Sequence, residues 1–292
     1  MLNPEPVRRP QRWRRQPMIL LPVKSALVFG PLLLVSHLAR LLHPSPTIGQ
    51  FVLAPTAVVI AVALFVLYTR FVEMRTVSEL QPRPALKETT LGFLVGSIAL
   101  ASVIGVLAML GCYHITGVEQ WSILPIPFVD SLGEGVFEEL LFRGVLFRVV
   151  EDSLGSYWAV LISSLVFGAA HLFNPHATWM AAIAIMVGAG VFLSAAYMLT
   201  RRLWLPIGIH AGWNFAQGGI FGVSVSGTGA TGILQSTLTG PVWLSGGEFG
   251  AEASVVAIAI CGTLGIALFF RVRSMNALIA PYWRRAPAAT LP

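Results

Sequence analysis

Long apolar stretches recur along this chain with few charges to interrupt them, and that pattern restricts the fold more than any other feature. Crossing the hydrocarbon layer of a membrane takes about 20 mostly apolar residues as helix, because each backbone N–H and C=O must find its partner within the segment. Eight segments meet this standard: Met18 to Leu42, Gln50 to Val72, Leu91 to Tyr113, Ile123 to Val149, Tyr157 to Phe173, Trp179 to Thr200, Leu203 to Phe221 and Ala251 to Phe270. Composition agrees, since only 11% of the 292 residues are charged and 55% are hydrophobic, against about 25% charged in soluble domains. A water-exposed fold has too few charges here to cover itself. The expected fold class is all-α: a polytopic integral membrane bundle of about eight transmembrane helices.

The net charge of +6 would point to nucleic acid in a soluble protein, but placement assigns it to the membrane surface instead. Six of the 19 Lys and Arg residues precede or include Lys24. Arg70, Arg75, Arg83 and Lys87 follow the second segment, and Arg148 ends the fourth. Arg201 and Arg202 divide the sixth from the seventh, and Arg271, Arg273, Arg284 and Arg285 follow the eighth. The positive-inside rule puts all of these on one side only if both termini are cytoplasmic. Arg40 at an external end and Arg143 within a span are the exceptions. The expected partners are the lipid bilayer and a substrate within it, with no nucleic acid.

The apolar stretch after the arginine-rich start is too long for a signal-peptide core of about 7–15 residues, so it reads as an uncleaved first span. Cys112 and Cys261 lie in separate apolar stretches without CxxC spacing, which indicates neither a disulfide framework nor a thiolate zinc site. The expected organisation is a basic tail over 1–17, N-terminal spans over 18–122, a polar-residue-bearing set of spans over 123–222, an external loop over 223–250, and a last span with cytoplasmic tail over 251–292. The Gly/Ser/Thr-rich loop is read as partly re-entrant.

Ionisable groups at membrane depth cost about 2.5–3.5 kcal/mol each on insertion scales, so they usually face a cavity and carry function. They concentrate in three spans: Glu134, Glu138, Glu139 and Arg143 in the fourth, Phe167 and His171 at the end of the fifth, and His210 and Asn214 in the seventh. The remainder at depth reads as apolar or small. Residues four apart on a helix share a face while adjacent ones diverge, so Glu139 can pair with Arg143 while Glu138 points elsewhere, with Glu134 one turn before it. His210 and Asn214 share a face, and Phe167 stacks one turn before His171. Taken singly, Glu139 and Arg143 read as a structural tie, and a lone membrane histidine as a satisfied core residue. Four polar groups on three helices are harder to dismiss. His37, His43, His114 and His176 read as interfacial or solvated, as do Glu73, Glu79, Glu88, Glu151 and Asp152.

Amide hydrolysis needs a carboxylate base, an imidazole to hold or exchange protons, and donors for the developing oxyanion. Glu138 and His171 can activate a water, and His210 with Asn214 can bind the oxyanion. The same residues also suit a proton relay in a transporter, and a catalytically idle immunity or scaffold protein stands as a third reading.

The stretch Glu138-Glu139-Leu140-Leu141-Phe142-Arg143, then Phe167 to His171 as FGAAH and His210 to Asn214 as HAGWN, resembles the CPBP family of CAAX proteases and bacteriocin-processing enzymes, whose motifs are EExxxR, FxxxH and HxxxN or HxxxD. The resemblance implies an intramembrane endopeptidase similar to the CAAX prenyl endopeptidases, with Glu138, His171, His210 and Asn214 catalytic and Glu139, Arg143 and Phe167 supporting. Members of the family are often called metalloproteases. The HExxH helix that places two zinc ligands on one face is absent, yet a divalent metal such as zinc held by Glu138, His171 and His210 stays open beside glutamate chemistry. Substrate identity is not legible beyond a membrane-associated peptide or protein, and the compact basic chain suggests a bacterial inner (plasma) membrane. Counting about 1.5 Å per residue from the span ends puts Glu138 and His210 about 10–15 Å deep and His171 about 20 Å. The motif geometry is taken over the boundary of the fifth span.

Overall fold

The structure is a computed structural model that describes residues 17–42 and 49–285. Arg8, Arg9, Arg12, Arg14, Arg15 and His43 lie outside the described residues, and with them most of the expected basic tail. Helices occupy all eight expected segments. They are α1 (Pro17–Leu42), α2 (Ala54–Phe71), α3 (Ala85–Met109), α4 (Pro125–Glu139) continuing into α5 (Arg148–Leu154), α6 (Ser156–Ala170), α7 (Trp179–Ile185) continuing into α8 (Val191–Thr200), α9 (Trp204–Asn214) and α10 (Val255–Ser274). Among the described residues, five helices are long and apolar enough to cross a membrane: Phe51–Phe71, Ala85–Met109, Ser156–Phe173, Trp179–Thr200 and Val255–Ser274. The protein is thus an α-helical integral membrane protein.

The bundle wears its apolar side chains outward as well as inward. Leu33, Leu34, Val59, Leu94, Ile98, Leu161, Leu165, Ile183 and Ile266 are exposed, as a lipid solvent allows. With lipid tails as apolar as leucine, helices gain little from hydrophobic burial against one another and associate through close packing and hydrogen bonds. The α3–α9 pair shows this. Gly92 and Gly96 of α3 press on the backbone at Leu205 and Ile209, while Gly208 and Gly212 of α9 press on the backbone at Thr89 and Phe93. A Cβ at any of the four would run into a carbonyl oxygen of the facing helix. Ser97 Oγ adds a hydrogen bond to Gly212 O at 3.0 Å. His210, between the two glycines of α9, is carried on the opposite face.

One end of the bundle gathers its ion pairs. Lys24 of α1 is buried against Glu73. Arg75 reaches Glu73 at 2.7 Å and Glu79 at 2.8 Å, and Arg148 reaches Glu79 at 2.7 Å. Arg201 pairs with Glu151, and Arg202 with Glu88. Of the acids read as interfacial or solvated, Glu79 and Glu151 are corrected here, being buried, while Glu73 and Glu88 are partly exposed. The physical reason is that the short connections fold back over the helix ends, so arginines meet carboxylates instead of water. Positions 276–285 strap the same end, with Ser156 N donating to Ile279 O at 2.9 Å and Ser156 Oγ accepting from Ile279 N at 2.8 Å.

The opposite end departs from an all-helical fold. β1 (Tyr113–Val118) pairs antiparallel with β2 (Leu234–Leu238), Tyr113 facing Leu238. Polar strands this short leave no hydropathy signal in a membrane sequence, and the register is pinned from outside the ribbon. Tyr113 OH donates to Phe221 O at 2.9 Å, and Ser236 Oγ to the same carbonyl at 2.7 Å.

Candidate active site

Three elements converge on a buried polar chamber, each with its regular helix interrupted beside it. After α4 the helix widens into a π-turn over Leu140–Phe147, the step between α7 and α8 is a π-turn over Met186–Gly190, and α9 ends in another over Phe215–Ile220. Such turns add a residue without breaking the helix and frequently mark functional sites.

Glu139 and Arg143 are both 0% exposed. Arg143 Nη1 donates to Glu139 Oε1 at 2.8 Å, and Nη2 to Gly190 O at 3.2 Å. The guanidinium lies 4.6 Å from the ring centre of Phe167, over its negative face. This pair does more than tie helices, because His210 Nδ1 also approaches Glu139 Oε1, at 3.0 Å. A carboxylate held by arginine accepts, so Nδ1 carries the proton and Nε2 is turned toward Glu138, whose Oε2 lies 3.8 Å away. That Glu138 oxygen is buried without a hydrogen-bond partner. Leaving such an atom unpaired is costly and requires an explanation.

One turn along α9, Asn214 Nδ2 donates to Glu134 Oε2 at 2.9 Å. The four-residue spacings of α4 and α9 therefore meet in antiparallel order, with His210 at Glu138 and Glu139 and Asn214 at Glu134. His171 sits on the 3₁₀ turn that follows α6. Its Nδ1 donates to Phe167 O at 2.8 Å, which leaves Nε2 bare in the neutral ring. Phe167 stands edge-on to His171 with centroids 4.8 Å apart and to His210 at 6.2 Å. His171 and His210 meet around the same Phe167 ring, as the motif geometry requires, whatever their counts from the span ends.

A cavity of about 50 Å³ opens beside the two histidines and Asn214. Its polar wall is His171, His210, Asn214, Ser226 and Glu252, and its apolar wall includes Gly188 and Cys261. Two departures from the sequence reading follow. Glu138 is brought to His210, with no hydrogen bond or ion pair to His171 among the described residues; the carboxylate that lines the cavity with His171 belongs to Glu252. Glu252 contradicts the expectation that the rest of the chain at depth is apolar or small. The available signal was an acid at the mouth of the last apolar span, which a search limited to span interiors passes over.

The proposed ligand set of Glu138, His171 and His210 does not form a metal-holding group, nor do any three His, Cys, Asp or Glu among the described residues. The Nδ1 atoms of both histidines are committed, one to a backbone carbonyl and one to Glu139.

Comparison with known proteins bears on the same stretch. Residues 119–216 match the family described as type II CAAX prenyl endopeptidase Rce1-like. A curated relative from Bacillus subtilis (strain 168), named putative membrane peptidase YdiL, is 29% identical over 82 residues. That match covers 28% of this chain and 31% of the relative. No solved structure matches. Residues 119–216, which hold Glu138, Glu139, Arg143, Phe167, His171, His210 and Asn214, are thus an Rce1-like segment, and the resemblance to the CPBP family read from the motifs is shown.

Proposed function

We propose that this protein is an intramembrane endopeptidase that hydrolyses a peptide bond of a membrane-associated peptide or protein with a water activated by Glu138 and His171. The observation that carries this reading is the bracketing of His210 by adjacent carboxylates, Glu139 at 3.0 Å and Glu138 at 3.8 Å, with Glu138 Oε2 unpartnered. A carboxylate kept buried and unpaired in a membrane is poised to take a proton.

In this reading Glu138 takes a proton from water as the water oxygen adds to the carbonyl carbon, and His171 Nε2 orients the water by accepting its second hydrogen bond. The carbonyl oxygen becomes negative and accepts from the second N–H of Asn214, the first being committed to Glu134. It also accepts from His210 Nε2 when that ring is protonated between its two carboxylates. Collapse breaks the C–N bond, and the proton held by Glu138 passes to the leaving amine. Glu139 and Arg143 hold His210 in place, and Phe167 keeps water from the imidazoles. The steps proposed run through side chains alone.

Purified protein in detergent, offered a library of quenched-fluorescence peptides, tests the reading. Wild type is expected to cleave and Glu138→Ala to fall by at least about 100-fold; equal cleavage by the two would sink it. Proton flux into liposomes that Glu138→Gln abolishes, without cleavage, would favour a transporter.

The topology proposed with this function has eight spans with both termini cytoplasmic, in a bacterial inner (plasma) membrane. Its support is the gathering of Lys24, Arg75, Arg148, Arg201 and Arg202 at one end of the bundle, as the positive-inside rule requires. Labelling of single cysteines at Ser274 and at Thr231 by an impermeant reagent in intact cells is expected to reach only the second.

A further inference from the structure

We propose that Glu252 is a positioning residue for His171: a carboxylate, held rigidly by the loop before the last span, that faces the imidazole across the chamber and balances the charge the ring acquires. The inference rests on the peptidase reading above for its catalytic consequence. It rests on geometry alone for the placement.

Glu252 lies outside the Rce1-like segment, on a 3₁₀ turn (Ala251–Ala253) immediately before α10. The chain enters that turn through Gly250, whose φ of 123° is open to glycine and strained for other residues. A Cβ there would run into Ser224 O. The carboxylate is clamped on one side only: Glu252 Oε1 accepts from Ser226 N at 2.6 Å and from Ser226 Oγ at 2.9 Å. Ser226 itself holds a left-handed φ of 48°, uncommon for a residue other than glycine and maintained only where its surroundings enforce it. The enforcing contacts are present. Gly227 N donates to Phe249 O at 2.8 Å, and Gln217 Nε2 to Ser224 O at 2.6 Å. Gln217 is buried and in turn accepts from Trp213 Nε1 at 3.0 Å. Four residues after Trp213, the cavity face of α9 thereby fixes the loop that fixes Glu252.

Glu252, Ser226 and His171 line the same cavity. The need for a carboxylate there follows from His171. With Nδ1 already donating to Phe167 O, any proton that Nε2 gains makes the ring a cation in a low-dielectric site. Glu138 and Glu139 are engaged with His210. Among the residues lining the cavity, Glu252 is the carboxylate placed to meet that charge. Each histidine of the chamber then has a carboxylate of its own, one set drawn from the motif helix and one from outside it.

The test uses full-length protein in detergent and the peptide that wild type cleaves fastest. Glu252→Gln keeps an acceptor for Ser226 and removes the charge; Glu252→Asp keeps the charge. The expected result is a fall of about tenfold in kcat for Glu252→Gln with KM within about twofold and Tm unchanged, partly restored in Glu252→Asp. Wild-type kcat in Glu252→Gln would overturn the proposal, as would a KM rise confined to peptides bearing Lys or Arg, which would make Glu252 a reader of substrate charge. Should Glu252→Gln fail to fold, Ser226→Ala, which removes the Oγ half of the clamp and keeps the backbone N–H, is expected to show part of the same loss in kcat. A readout independent of cleavage is the ¹⁵N spectrum of histidine-labelled protein, with the His171 ring assigned by His171→Gln. Its signals are expected to move in Glu252→Gln and to stay in Glu248→Gln, where exposed Glu248 pairs with His176. Static His171 signals overturn the placement even if the protein is a peptidase. Moved signals in a protein that cleaves nothing uphold the placement and remove the peptidase reading instead.

Discussion

The Nδ1 of His210 donates to Oε1 of Glu139 across 3.0 Å, on the same oxygen that receives Arg143 Nη1 at 2.8 Å. One carboxylate therefore sets the tautomer of a histidine on α9 and neutralises an arginine on its own helix. Removing one partner from a buried pair leaves an uncompensated charge and typically costs about 3–5 kcal/mol. Glu139→Gln is expected to lose stability on that scale, read as a lowered Tm in detergent. Glu138→Gln, one residue earlier, is expected to change Tm far less, because Glu138 Oε2 makes no hydrogen bond and approaches His210 Nε2 only to 3.8 Å. Equal destabilisation by both substitutions would contradict the division of labour between these adjacent acids.

Asn214 and Glu134 offer a sharper test, since the motif in related sequences admits either Asn or Asp at the last position. Here Nδ2 of Asn214 donates to Glu134 at 2.9 Å. Asn214→Asp would set two carboxylates against each other, and like charges that close resist joint ionisation. Cleavage is expected to fall by about tenfold or more, and Glu134→Gln in the same chain to recover the part lost to that repulsion but not the part lost with the Asn214 N–H that meets the oxyanion. Additive losses in the double variant would show that the two side chains do not interact.

Packing of α3 on α9 carries the histidine into place, so a substitution remote from the chemistry should displace it. A methyl group at Gly212 would meet the Phe93 carbonyl, whereas one at Gly105 on α3 meets nothing within 4 Å. Gly212→Ala is expected to lower both Tm and kcat, and Gly105→Ala to raise Tm slightly through helix propensity, by about 0.5–1 kcal/mol. Thermal unfolding of the two variants side by side reads this directly.

What the sequence made legible was whatever depends on local pattern. Apolar length located the helices, and four-residue spacing correctly paired Glu139 with Arg143 and placed His210 and Asn214 on one face. The same spacing put Phe167 beside His171, whereas its contact with His210 is set by tertiary folding. Partners set by tertiary folding were not legible. Glu138 meets His210 rather than His171 because α4 and α9 run antiparallel, a fact that no spacing within either helix contains. Glu252 reaches the chamber because a loop rich in glycine turns inward at Gly250, and Glu79 and Glu151 are buried because short connections cover the helix ends. In each case the residue type was visible and the neighbour was not.

Metal dependence can be argued from the donors themselves. A zinc site needs three or four ligands converging at about 2.0–2.3 Å. Both histidines of the chamber have spent Nδ1, on Phe167 O and on Glu139. Their Nε2 atoms, Glu138 and the cavity-lining Glu252 are left, and among the described residues no three of these donors form a metal-holding group. Closing ligands around an ion through the two Nε2 atoms would require Glu138, which approaches His210 and shares no hydrogen bond or ion pair with His171, to be drawn toward both rings. Prolonged dialysis against a strong chelator, followed by metal analysis of the protein, is therefore expected to leave the cleavage rate unchanged. Loss of activity on dialysis and its return with stoichiometric zinc would refute the glutamate mechanism, and would require the chamber to rearrange around the ion.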